Sequence, residues 1–123
     1  MDKKYDLEER LISFAIQMLE VTEKLPNNRS GNHIAGQLVR CGTSPAFNYG
    51  EAQAAESTKD FIHKMGIVLK ELRETGICLK IIIRKPLITP PERVTPDLKE
   101  CNELIAIFSK SIQTAKKNNY DKK

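Results

Sequence analysis

The chain has 123 residues, 40% hydrophobic and 29% charged, which suits one soluble domain with a single core that needs no staples. Aromatic residues make up 6% and Trp is absent, leaving few platforms for stacking bases or sugars. The net charge of +4 is uneven: residues 1–25 hold four Lys/Arg against six Asp/Glu, whereas residues 57–94 hold eight against four. A positive bias of this size permits an anionic partner without requiring one.

Spacing predicts a first helix over residues 5–25, because Leu7, Leu11, Phe14, Met18, Val21 and Leu25 recur at alternating steps of four and three. Ile12, Ala15, Ile16 and Leu19 widen that apolar face. Pro26 cannot extend the ladder, and Asn27 and Asn28 favour a turn. A second helix begins near Ser30 or Asn32 and carries Ile34, Leu38 and Cys41. Ser57 followed by Asp60 gives a capping-box-like start to a third helix over 57–84. Its stripe is Thr58, Ile62, Met65, Leu69, Leu72, Gly76, Leu79 and Ile83. After the proline-rich RKPLITPPERVTPD, Thr95 as N-cap and Pro96 in first position predict a fourth helix over 95–117. Leu98, Cys101, Ile105, Phe108, Ile112 and Ala115 form its stripe, and KKNNYDKK reads as a frayed, charged tail. ICLKIII alone could pass as a strand, but it continues the third helical stripe. The expectation is all-α: one domain over 1–123, folded as an antiparallel up-down-up-down four-helix bundle.

The stretch GTSPAFNYGEA, from residue 42, places breakers among good helix formers. Either a helix ends near Gly42 and another starts with Ser44 and Pro45, or one helix runs over 30–55 and bends at Pro45. A proline inside a helix costs about 3 kcal/mol. The small residues favour the continuous helix: Gly42, Ala46 and Gly50 recur every four positions and would admit a neighbouring backbone, with Phe47 and Tyr49 to either side. Ser44 can bond back to its own helix and ease the bend. Residues 42–52, with Asn48 and Glu51, are therefore expected to form a helix–helix or subunit contact.

Little catalytic chemistry is legible. Cys41, Cys78 and Cys101 are far apart and on or near apolar stripes, so they read as reduced packing residues. Asp60 and His63 have the spacing of a di-iron bundle motif, with Glu51 and Glu56 nearby. His33 lacks a matching carboxylate, however, and Glu100 and Glu103 look solvent-facing. No metal or cofactor is expected, nor a nucleophile–base pair, nor a phosphate loop; the reading is non-enzymatic. Lys59, His63, Lys70, Arg73, Lys80 and Arg84 lie along one flank of the third helix, where Lys70 could pair with Glu74. Arg40 with Glu51 is a plausible structural pair, set too far apart for one helical turn and so expected across a subunit boundary.

QLVRCGTSPAFNYGEAQ followed by FIHKMGIVLKELRETGICLKII resembles bacterial four-helix bundle proteins. These are the 23S rRNA intervening-sequence proteins, also called S23 ribosomal proteins, and the related accessory variability determinants of diversity-generating retroelements. The matching positions are Gln37-Leu38 with Arg40, the pattern Ser44, Asn48 and Glu51, and Phe61 leading to Glu71-Leu72 and Glu74-Thr75. Residues 14–26 fit the family's first helix. The resemblance covers roughly residues 7–112. It implies a ring-like homopentamer that binds nucleic acid and, in retroelement relatives, partners a reverse transcriptase. Arg40, Lys59, Lys70, Arg73, Lys80 and Arg84 are the expected nucleic-acid contacts. The competing expectation is a structural oligomer or protein-binding adaptor. MDKKYDLEER has no hydrophobic signal region, and no apolar run approaches the roughly 18 residues of a membrane span, so a cytoplasmic protein is expected.

Overall fold

Four capped amphipathic segments become four helices in the computed structural model, which describes residues 6–121. They are α1 (Leu7–Glu23), α2 (Arg29–Gln53), α3 (Thr58–Arg84) and α4 (Thr95–Asp121). Residue 5, where the first helix was expected to begin, and residues 122–123 of the tail lie outside the described residues. The side chains of Asp6, Asn28 and Ser57 accept hydrogen bonds from the N–H groups of Glu9, Gly31 and Asp60, so each of the first three starts satisfies an orphan donor. Ser57 caps as its spacing predicts. Asn28, not Ser30 or Asn32, opens α2. Thr95 does not cap α4: its hydroxyl donates to the Glu92 carbonyl at 2.9 Å, while the Val94 carbonyl accepts from the N–H groups of Asp97 and Leu98. Before it lie a cis Thr89–Pro90 bond and a short 3-10 turn at Pro91–Arg93. The tail from Lys116 to Asp121 is helical rather than frayed.

α3 packs between α2 and α4, while α1 packs on α2 and meets α4 only along a loose edge. α1 and α3 therefore lie diagonally across the bundle. The predicted stripes supply its core: Leu11, Phe14, Met18 and Val21; Leu38 and Cys41; Met65, Leu72 and Leu79; Cys101, Phe108 and Ile112. Ile34 joins them on α2. α3 has a neighbour on each side, so it buries a wider arc than its stripe, adding Val68, Glu71, Thr75, Cys78 and Ile82. Leu104 of α4 is also fully buried, although it lies off the predicted stripe. The reverse holds on α1. Ile12, Ile16 and Leu19 stay exposed because no helix covers the far side of this edge element.

α2 runs unbroken through Pro45, in favour of the continuous reading. Proline lacks an N–H, so the carbonyl of Cys41 loses its usual partner in the ladder. The Asn48 side chain compensates one turn further on. Its amide donates to the Ser44 carbonyl at 3.0 Å and to the Ser44 hydroxyl at 2.8 Å. Ser44 is thus an acceptor for Asn48 instead of bonding back to the preceding turn.

Candidate nucleic-acid interface

At about 100° per residue, Lys59, Lys70, Arg73, Lys80 and Arg84 share an arc about 80° wide on α3. The broad buried arc of this helix sets that face directly outward, and all five cations, with His63, are exposed. Among the described residues none of the five forms an ion pair. The expected Lys70–Glu74 pair does not form, because the Glu74 carboxylate turns to Arg40. A Cβ at Gly66 would meet open space, so the face is low at its middle. Two shallow grooves adjoin there. One is lined by Leu69, Lys70, Arg73 and Ile77, the other by His63, Lys70 and, from α4, Ile112 and Lys116. Lys116 adds a cation that the sequence did not single out, since its segment read as frayed tail.

Arg40 sits elsewhere, in a network that fastens α2 to α3. Its Nη1 donates to both carboxylate oxygens of Glu71, at 3.1 and 3.2 Å. Its Nη2 donates to Gln37 at 3.0 Å and to Glu74 at 3.1 Å. The pairing with Glu51 is thereby corrected: a helix nearer than any subunit boundary supplies both carboxylates, and Glu51 instead accepts from Lys64 at 2.8 Å. Burial pushes the Glu71 carboxyl above its ordinary range, with Glu74 adding to the effect. The hydrogen bond from Arg40 holds Glu74 below its own, and that bond in turn raises the guanidinium. The hydrogen bond to Glu51 likewise raises Lys64. Gln37, Arg40, Glu71 and Glu74 are spread over two helices in sequence, and the fold brings them to one spot.

The segment 42–52 touches all three other helices. A Cβ at Gly42 would come within 2.7 Å of Met18 on α1. Tyr49 stacks edge-on against Phe108 of α4 with centroids 5.5 Å apart, and Glu51 holds Lys64 of α3. Pro45 is buried and Ala46 packs against the core. Gly50 is different, because a Cβ there would meet nothing. Phe47 points away with 72% of its surface exposed.

Arg10 ties the loose α1–α4 edge. Its Nε and Nη2 donate to Glu100 at 2.8 Å each, and Nη2 also reaches Glu103 at 3.0 Å. Glu100 is therefore partly buried and paired instead of facing solvent. Hydrogen bonding to Glu100 raises the Arg10 guanidinium against the opposing effect of burial. Among the described residues no group of three His, Cys, Asp or Glu side chains could hold a metal ion. No described helix is long and apolar enough to cross a membrane.

The three cysteines are free and buried. A hydrogen bond from the Cys78 thiol brings Cys41 down to about 7, and the same pairing pushes Cys78 up. Burial raises Cys101 to about 12, and its thiol donates to the Leu72 carbonyl at 3.2 Å. Reactivity needs access as well as thiolate. Native protein at neutral pH should therefore resist a disulfide reagent, and the denatured chain should yield three thiols. Rapid labelling of a native thiol would show that the α2–α3 seam opens.

Known proteins share this fold and these residues. A crystal structure of a protein with unknown function from the S23 ribosomal protein family of Bacteroides thetaiotaomicron VPI-5482 is 30% identical, with a TM-score of 0.78. The match covers 85% of this chain and 96% of that one. No curated protein matches the chain. The model of the 23S rRNA-intervening sequence proteins matches residues 3–110, which take in the Arg40 network, the Ser44–Asn48 bond and the basic face of α3. With the match spanning most of all four helices, the chain belongs to the 23S rRNA-intervening sequence protein family.

Proposed function

We propose that this protein is a non-enzymatic, oligomeric bundle that binds structured nucleic acid through the outer face of α3. The observation that carries the reading is the row of exposed cations Lys59, Lys70 and Arg73, unpaired among the described residues, with Lys116 across the adjoining groove. Lys80 and Arg84 extend the positive face toward the end of the helix. Lysines and arginines held on one rigid helix face suit the regular spacing of phosphates, and releasing condensed counterions supplies the affinity. A closed ring, a pentamer as the resemblance implies, would repeat the face around an axis and multiply its field. Arg40 belongs to this reading only as a positioning residue, since Glu71 and Glu74 already hold its guanidinium.

Fluorescence polarisation with a structured RNA and a DNA duplex, titrated across salt, tests the reading. Affinity should fall with a log–log slope of about −0.7 to −0.9 for each phosphate contacted. Lys59→Glu with Lys70→Glu should abolish binding and leave the thermal midpoint unchanged, because both side chains are exposed. Absence of binding at low salt would overturn the reading, as would a double variant that binds like the wild type.

A further inference from the structure

Seven large hydrophobic side chains remain exposed, and five of them lie on the diagonal helices: Ile12, Ile16 and Leu19 on α1, Ile77 and Ile81 on α3. On α1 the three recur at helical spacing along the side turned away from the bundle. Exposed Glu8 and Glu9 lie at one end of this stripe and exposed Glu20 and Glu23 at the other. On α3 the isoleucine pair lies one turn apart on the outward face. Exposed Arg73, Lys80 and Arg84 run along one side of it. One face is therefore apolar with an acidic rim and the other apolar with a basic rim.

We propose that these two faces are the halves of a head-to-tail contact between copies of this chain. Ile12, Ile16 and Leu19 of one copy pack on Ile77 and Ile81 of the next, with the α1 glutamates against Lys80 and Arg84. The proposal rests on the oligomeric part of the reading above and names the surfaces that make it. Charge selects the partner face: two α1 faces would set carboxylates against carboxylates, and two α3 faces cations against cations. Geometry selects the symmetry. Because α1 and α3 are diagonal, their outer faces point in opposite directions, so the contact is heterologous and each copy keeps one face for each neighbour. Assembly then covers the acidic side of every bundle while Lys59 and Lys70, in the first half of α3, stay uncovered. The same contact thus leaves the oligomer more positive outside than its chains.

Size-exclusion chromatography with light scattering on the full chain tests this. Ile16→Glu blocks the α1 face, and Ile77→Glu with Ile81→Glu blocks the α3 face. These side chains are exposed, so both variants should keep wild-type helical circular dichroism while their mass falls to that of the 13.9 kDa chain. Mixed in equal amounts they should form a species of twice that mass and nothing larger, because each brings one intact face. Glu20→Lys with Glu23→Lys should weaken assembly, and adding Lys80→Glu with Arg84→Glu in the same chain should restore it. An oligomeric wild type whose blocked variants keep its mass, or do not associate when mixed, overturns this contact and leaves the oligomeric reading standing. A monomeric wild type overturns both, and the nucleic-acid titration is read separately from either.

Discussion

Phe108→Ala should lower the free energy of unfolding by about 3–5 kcal/mol, the usual cost of deleting a buried ring and leaving a cavity. Phe108 is fully buried on α4, and its ring meets Tyr49 of α2 edge-on, at 5.5 Å and 85°. The side chain joins helices that are not consecutive in the chain, so local structure cannot make up its loss. A domain of this size has about 5–15 kcal/mol in total, so the variant should unfold at a much lower denaturant concentration with little change in slope. Phe47→Ala is the control, since that ring is 72% exposed; it should shift stability by no more than about 0.5 kcal/mol. If the two variants unfold together, the assignment of buried and exposed rings on α2 and α4 is wrong.

Two glycines of α2, eight positions apart, should respond to alanine with opposite signs. At Gly42 the new methyl would sit 2.7 Å from both Cβ and Cγ of Met18. Rotating the Met18 side chain moves its Cγ but not its Cβ, which is fixed to the α1 backbone, so α1 itself must retreat from α2. Overpacking of this kind costs about 1–3 kcal/mol. At Gly50 the methyl meets nothing, and removing a glycine from a helix interior should stabilise by about 0.5–1 kcal/mol. Thermal or denaturant unfolding of the two single variants decides it. Shifts of the same sign would mean that the α1–α2 approach at Gly42 is looser than the structure has it.

The four helices were legible because burial on one side imposes a helical period, and that period survives in Leu11, Phe14 and Met18 or Cys101 and Phe108 whatever lies opposite. Ser57 was legible for a related reason: a cap acts within a single turn, so residue type and spacing specify it. The basic residues of α3 were legible as one face of one helix. Period does not reveal how many neighbours a helix has. The apolar residues Ile16 and Val68 look alike in the sequence, yet one stays exposed on an edge helix and the other is sealed between two helices. Position in the bundle also turned the α3 cations directly outward, and it brought Lys116 beside Lys70. Polar pairing was the least legible, because a carboxylate takes the nearest cation in space. Glu74 turned from Lys70, one turn along its own helix, to Arg40 on the next, and Glu51 went to Lys64. Helix periods and caps were thus determined by the sequence alone, being local. Which faces meet, which charges pair and which apolar stripe is left uncovered depend on contacts between distant segments, and only the tertiary structure decided them.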